Sequence, residues 1–406
     1  MKIISTTGKE WQRLCARQLI RKRRVEESVR KILDDVRQGG DEALVRYTRR
    51  FDKVRLSPRQ LRVTEAEVSG AFQHLDPKFA LQLKSAIQNV QLFYSRPRLK
   101  PMKCVDGNGV VLGEKFDPLE RVGIYIPGGT ASLVSSVYMT VIPAKKAGVR
   151  RIILATPPRK DGSVDPHILA VASLLDVDEI YKMGGAQAIA AMAFGTKMVP
   201  KVDKIVGPGN AYVAEAKRQA FGFVDVDTIA GPSEIAVIAN RYSNTQYVLA
   251  DLLGETEHAG GIGFLITTSK ALAKLARKQI PGGYCIVVKN VEDAADVANR
   301  LAPEHLEIMV RSPQKLVKRI THAGAIFLGP YSPVTVGDYI AGPSHVLPTG
   351  GAARTFSGLG IDDFVRRTHI ITYTKKALEQ VREPLERLTA IEGLPRHFDA
   401  VKVRLT

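Results

Sequence analysis

The chain has 406 residues, which at roughly 100 to 200 residues per domain allows two or three compact units with real cores. Its 45% apolar and 25% charged residues match a soluble globular protein and exclude disordered, collagen-like and coiled-coil compositions, and no run approaches the ~18 apolar residues of a membrane span. The net charge of +18 raises nucleic acid as a partner, but half of the excess lies in residues 1–60 (17 Lys or Arg, 8 Asp or Glu) without a zinc-finger, RNP-like or helix-turn-helix pattern, so a solvated basic face is expected.

The N-terminus has no apolar core before a small-residue cleavage site, and the three cysteines (Cys15, Cys104, Cys285) are odd in number and far apart. Both features predict a cytoplasmic protein with reduced thiols. From Val25 to Tyr47, and again from Glu65 to Phe93, apolar residues recur at three- and four-residue spacing, which predicts amphipathic helices. The Pro and Lys cluster Ser95–Lys103 closes this region. Short β-rich runs ending in Gly or Pro then alternate with helical stretches: RVGIYIPGG (121–129), RRIILATPP (150–158), EIYKMGG (179–185) and DKIVGPGN (203–210). Strand, glycine turn and helix in repetition predict a parallel α/β sheet with ligands at the carboxyl ends of its strands. A second series follows in EIAVIAN (234–240), GFLITTS (263–269), YCIVVKN (284–290) and GAIFLGP (324–330), and a helical tail runs from Lys375 to the end. None of the turns is a strict G-x-G-x-x-G; Gly207-Pro208-Gly209-Asn210 has two of the three glycines, which leaves both a nucleotide contact and a plain structural turn open.

The histidines carry the chemistry. Glu255 and His258 stand three residues apart in a helical pattern, so both side chains are expected on one face, as metal ligands or as exposed helix surface. Asp338 and His397 would complete a set of two imidazoles and two carboxylates that suits Zn²⁺. Glu304-His305, behind Pro303 at a predicted helix start, reads as an acid–base pair or as a capped helix with an exposed His. His345 and Ser233 lie in Gly-Pro turns, while His74, His167, His322 and His369 read as structural. No cysteine has an adjacent His or helix N-terminus, so aldehyde oxidation through a covalent thiohemiacetal is not expected and a hydrate route is.

In order along the chain, RVGIYIPGG, GGAQAIAAMAFG, VDKIVGPGN, AGPSEI, ADLL followed by EH, LAPEHLE, GDYIAGPSHVLPTGG, GLGIDDF and EGLPRH resemble the histidinol dehydrogenases over essentially the whole length. The resemblance implies two Rossmann-like α/β domains with parallel-type sheets, smaller helical N- and C-terminal segments, and an intertwined homodimer. The expected boundaries are 1–21 for the N-terminal segment, 22–124 with 235–359 for the domain carrying metal and catalytic residues, 125–234 for the NAD side, and 360–406 for a tail reaching the partner subunit.

It further implies NAD and one Zn²⁺ per subunit (Mn²⁺ as an alternative) and L-histidinol as substrate, oxidised to L-histidine through the aldehyde in the last step of histidine biosynthesis, with no nucleic-acid or membrane partner. Carried over by position, Glu304 and His305 match the catalytic pair; Glu255, His258, Asp338 and His397 match metal ligands that also face the substrate; Ser233, Glu304, His345 and Glu392 match substrate contacts. Tyr125, Gln187 and Asn210 match NAD contacts, and Glu392 and His397 are expected from the other subunit. Position 255 departs from the resembled family, which has Gln there; the extra negative charge lowers the metal's Lewis acidity and tightens cation binding. A superfamily relative oxidising another polar alcohol is the alternative, disfavoured because Glu392 suits the amino group of histidinol.

Overall fold

A computed structural model describes residues 1–16, 23–95, 101–128, 132–229, 231–258 and 260–406, with the His74 side chain excepted. The end of the 1–21 segment, most of the Pro and Lys cluster, the last glycine of RVGIYIPGG and the first residue of AGPSEI lie outside the described residues. In chain order the strands are β1 (Lys2–Ile4), β2 (Met102–Val105), β3 (Val111–Pro118), β4 (Arg121–Tyr125), β5 (Arg151–Thr156), β6 (Glu179–Lys182), β7 (Lys204–Val206), β8 (Asp225–Val226), β9 (Glu234–Ala239), β10 (Ile262–Thr267), β11 (Tyr284–Val287), β12 (His305–Met309), β13 (Ala325–Leu328) and β14 (Val365–Thr372).

Strands β4 to β8 form one parallel sheet in the order β6-β5-β4-β7-β8. Its crossovers are the helices Val134–Ala147, Pro166–Leu174, Gly185–Phe194 and Ala211–Ala220. Successive strands leave β4 first in one direction and then in the other, so a crevice opens at the carboxyl ends of β4 and β7, the usual place for a nucleotide. The long helix Arg23–Phe51, broken at Gly40 (φ +51°), buries Val29, Ile32, Leu33 and Val36, then Leu44 and Tyr47, against the helices Gly185–Phe194 and Ala211–Ala220. Each such side chain removed from water contributes ~1.5–3 kcal/mol, enough to fix the helix on this face.

The second parallel sheet runs β1-β11-β10-β9-β12-β13. Its central strands β9 and β12 are buried along their whole length, which is why their sequences show no alternation of polar and apolar residues. Both sheets belong to one compact unit, Met1–Arg96 with Leu119–Phe364. A second unit, Pro97–Pro118 with Val365–Thr406, is built on the antiparallel sheet β14-β3-β2 and the helices Lys375–Gln380, Arg382–Ile391 and Pro395–Lys402. The helical tail and both parallel series are as expected; the small antiparallel sheet was not foreseen.

Two local expectations are corrected. Glu304 and His305 do not start a helix: the preceding helix Val291–Leu301 ends at Ala302 in the left-handed region (φ +48°), Pro303 follows, and His305 opens β12 between β9 and β13. Glu255 and His258 do not share a helix face either, because the helix Thr245–Glu255 stops at Glu255 and His258 lies in the turn beyond it. Among the described residues no helix is long and apolar enough to cross a membrane.

Candidate active site

The polar cluster of the second sheet sits at the amino ends of β9 and β12, opposite to the carboxyl-end placement that holds for the first sheet. Parallel pairing brings His305 level with Ile235, so Ser233 and Glu234 at the start of β9 meet Glu304. The Glu304 carboxylate accepts the Ser233 hydroxyl and the Glu234 N–H, both at 2.9 Å. His305 is ringed by acids: Nδ1 lies 3.7 Å from Glu255 Oε2 and 3.9 Å from Glu304 Oε2, and Nε2 lies 3.5 Å from Asp338 Oδ1. At these distances neither ring nitrogen is hydrogen-bonded, and both are buried, as is the unpartnered Glu255 Oε1.

Burial pushes the Glu304 carboxyl up to about 8, only partly offset by the His305 charge and the Glu234 N–H. Burial pulls His305 down, but the carboxylates of Glu304, Asp338 and Glu255 outweigh it and lift the imidazole to about 9. Both neighbouring groups thus have their proton affinity raised to near or above neutrality, which equips the pair for proton transfer.

His345 completes this side. Its Nδ1 lies 2.9 Å from the Asp338 carbonyl, which only accepts, so Nδ1 carries the proton. In the neutral ring Nε2 then accepts the Ser136 hydroxyl at 2.9 Å. Burial keeps this imidazole below its ordinary range and so neutral. Tyr138 ties the same helix to the segment by donating to the Tyr339 carbonyl at 2.6 Å. Ser136 was not foreseen; nothing in its sequence neighbourhood marks it.

His258 is exposed, at the close of a turn in which its N–H donates to the Glu255 carbonyl at 3.2 Å and Gly261 N–H donates to the His258 carbonyl at 2.9 Å. A methyl group at Gly261 would stand 2.1 Å from the Glu255 carbonyl oxygen, so the turn requires glycine. Glu392 and His397 are exposed residues of the second unit, on the C-cap of Arg382–Ile391 and in the helix Pro395–Lys402. Among the described residues no three His, Cys, Asp or Glu side chains are assembled into a metal-binding group. The donor chemistry nevertheless fits a divalent cation: a buried carboxylate oxygen of Glu255 has no partner, and Asp338 and Glu304 add negative charge around it.

The expected nucleotide residues occupy the carboxyl ends of the first sheet. Tyr125 ends β4, and its hydroxyl, pushed up to about 12 by burial, accepts the Gly185 N–H at 3.0 Å. Gln187 is buried in the first turn of the helix Gly185–Phe194 with both amide atoms unpartnered. Asn210 caps the helix Ala211–Ala220 by accepting the N–H groups of Tyr212 and Val213 at 3.0 and 3.2 Å. The turn before it needs Gly207, whose φ is +117° and where a methyl group would stand 2.1 Å from the Tyr125 carbonyl oxygen.

An unforeseen ion pair holds this turn at both ends. Lys217 Nζ donates to the Gly207 carbonyl at 2.7 Å and to Asp227 Oδ1, while Asp227 Oδ2 accepts the Gly207 N–H at 2.7 Å. Lys217 lies ten residues after Gly207, and its pairing with an acid ten residues further on leaves no local signal.

The cysteines stay out of both places: Cys285 is buried in β11 with its thiol pushed up to about 12 by burial, and Cys104 is exposed on β2. His167 pairs with Asp165 at 3.0 Å and His369 with Glu114 at 3.3 Å.

The family model described as histidinol dehydrogenase matches residues 15–405. A histidinol dehydrogenase of Bacillus cereus is 46% identical over 399 residues, covering 94% of this chain and 92% of that protein. One from Clostridium acetobutylicum is 44% identical over 415 residues, covering 98% and 96%. The crystal structure of histidinol dehydrogenase from Elizabethkingia anophelis superposes with a TM-score of 0.93 at 35% identity, covering 100% of this chain and 98% of that one.

Proposed function

From the membership of this chain in the histidinol dehydrogenase family, which makes it an oxidoreductase, we propose that it oxidises L-histidinol to L-histidine through histidinaldehyde, with two NAD⁺ as hydride acceptors. The observation that carries the division of labour is the Glu304-His305 pair: a buried acid and a buried base, each with its proton affinity displaced, and no thiol beside them.

His305, in its neutral form, takes the alcohol proton as the first hydride leaves the carbinol carbon and passes it to solvent before the second oxidation. Glu304 takes a proton from the water that adds to the aldehyde, and His305 takes the hydroxyl proton of the hydrate as the second hydride leaves. Ser233 and Glu234 keep one oxygen of Glu304 fixed throughout. His345, held neutral between Ser136 and the Asp338 carbonyl, orients the substrate without contributing charge. Glu392 presents its carboxylate to the substrate ammonium group, which favours histidinol over an anionic alcohol.

Glu255, His258 and Asp338, with His397 from a second copy of the chain, would hold Zn²⁺, and the ion would supply a template that orients the imidazole and amino nitrogens of the substrate. In this reading the tail 360–406 reaches the second copy and the active unit is a homodimer.

The test is NADH formation from limiting L-histidinol, before and after chelation and with Zn²⁺ or Mn²⁺ restored. Two NADH per histidinol, lost with the metal and regained on its return, is the expected result. One NADH per histidinol, or turnover indifferent to chelation, contradicts the reading.

A further inference from the structure

Dinucleotide-binding sheets of the β4-to-β8 kind place an acidic side chain at the end of the second strand, where it accepts the hydroxyls of the adenosine ribose and repels a 2′-phosphate. The second strand here is β5, and the chain leaves it as Pro157-Pro158-Arg159, with no acid. A carboxylate reaches the same place from outside the sheet. Asp52 follows the helix Arg23–Phe51, with its backbone N–H still bonded to the Thr48 carbonyl at 2.9 Å. A methyl group at Gly184, the residue capping the helix that follows β6, would stand 2.7 Å from Pro157 Cβ and 3.2 Å from Asp52 Oδ1. Asp52 therefore lies over the ends of β5 and β6, on the face where Tyr125 and Gln187 are found.

Among the described residues the Asp52 carboxylate has no hydrogen-bond or ion-pair partner, and Oδ2 is sealed from solvent. Gln187, in the first turn of the helix that Gly184 caps, has both amide atoms unpartnered as well. The Asp52 side chain is half-buried, and no ion pair among the described residues accounts for its carboxylate. Burial alone pushes it up to about 6, as expected for a carboxylate with no stabilising partner, and its charge is felt at Tyr125.

We propose that Asp52 is a binding residue for the adenosine ribose hydroxyls of NAD and sets the preference for NAD over NADP. This rests on the reading that the chain is an NAD-dependent enzyme. The hydroxyl protons of the ribose supply what the carboxylate lacks, while a 2′-phosphate brings a second negative charge against it. Among the described residues no hydrogen bond or ion pair joins Asp52 to Glu304 or His305, so the expected effect falls on the nucleotide.

Initial rates with NAD and with NADP, at saturating histidinol, are compared for the native chain, Asp52→Asn and Asp52→Ala, with NADH binding followed by fluorescence and folding checked by thermal unfolding. Loss of a charge-assisted hydrogen bond predicts a KM for NAD about 10-fold higher and correspondingly weaker NADH binding. The preference for NAD over NADP in kcat/KM should fall by at least about 10-fold, while the KM for histidinol moves less than about 2-fold. An unchanged KM for NAD and an unchanged preference in folded, active variants overturns the proposal and leaves the enzymatic reading intact. Should the native chain bind NADH but not oxidise histidinol, weaker binding by the variants still supports the ribose contact and only the substrate reading fails. A native chain that binds no NADH overturns both.

Discussion

Replacing Lys217 by Met keeps most of the side-chain volume and removes the charge. Lys217 and Asp227 are exposed by only 3% and 2%, so the change strands an ionised carboxylate in the interior and deprives the Gly207 carbonyl of its donor. Breaking such a pair from one side costs about 3–5 kcal/mol, which for a chain of this length is a fall in Tm of about 4–6 °C. Asp227→Asn should cost a comparable amount by stranding the ammonium group, although one oxygen remains for Gly207 or Thr228 N–H. The double variant Lys217→Met/Asp227→Asn leaves no charge behind and should recover about 2 kcal/mol or more relative to the sum of the single changes. Urea unfolding of the four proteins measures this coupling. The turn carries Asn210, so the single variants should also raise the KM for NAD more than they lower kcat. Two single changes that each cost under about 1 kcal/mol and simply add would refute the argument that the pair clamps the turn.

Three other outcomes are expected. Glu304→Gln should leave alcohol oxidation largely in place and slow aldehyde oxidation by about 100-fold or more, since only the second needs an activated water; equal loss of both half-reactions, measured with histidinol and histidinaldehyde separately, counts against the assignment. Mixing inactive His258→Ala chains with inactive His397→Ala chains should restore activity through heterodimers, and no recovery after verified subunit exchange places both residues in one chain. The Asp52 carboxyl, raised from 3.8 to about 6, holds a proton in the folded chain that the unfolded chain has already released, so folding is penalised as pH rises through about 4 to 6. Two units correspond to ~3 kcal/mol, reduced to ~1–2 kcal/mol because the side chain is partly solvated. The Tm of Asp52→Asn should thus exceed that of the native chain at pH 7 and match it at pH 4; a difference independent of pH removes the carboxylate from the account.

The first parallel series could be read from the sequence because its strands run into glycines or prolines, one of which, Gly207, the turn requires; the second was read from its apolar β-rich runs alone. The second sheet's site was harder to place. HLEIM from His305 to Met309 is buried on both faces, so its polar members look like the start of a helix when periodicity is the guide. Likewise Glu255 and His258 obey helical spacing, but the helix stops at Glu255, and only the tertiary turn closed by Gly261 reveals it. The antiparallel strands β2, β3 and β14 join segments some 250 residues apart, and β2 and β14 are largely exposed, so neither hydrophobic alternation nor a hairpin turn marks β14. Ser136, Lys217, Asp227 and Asp52 escaped for a related reason: each acquires its role from a neighbour supplied by a different element.

Among the described residues, half of the buried side-chain polar atoms without a partner fall at the two candidate places, and the other half (on Trp11, Thr48, Asp117, Arg121, Thr228 and Glu307) do not. At the first of these places, around His305, they are both imidazole nitrogens and Glu255 Oε1; at the second, the candidate nucleotide place, they are Asp52 Oδ2 and the two amide atoms of Gln187. Each group left unpaired in the interior costs about 1–3 kcal/mol, and a folded chain under selection for stability alone would pair them or replace them with apolar side chains. The Lys217–Asp227 network shows that the same fold can satisfy buried charges fully where the task is to hold a turn. The contrast argues that the unpaired groups of the two places are kept for ligands that complete them. Ligands for both places should then raise Tm separately, and by more when added together if the two places serve one reaction. Substituting Gln187 or Asp52 should reduce the nucleotide's share of that rise and leave the metal's share in place.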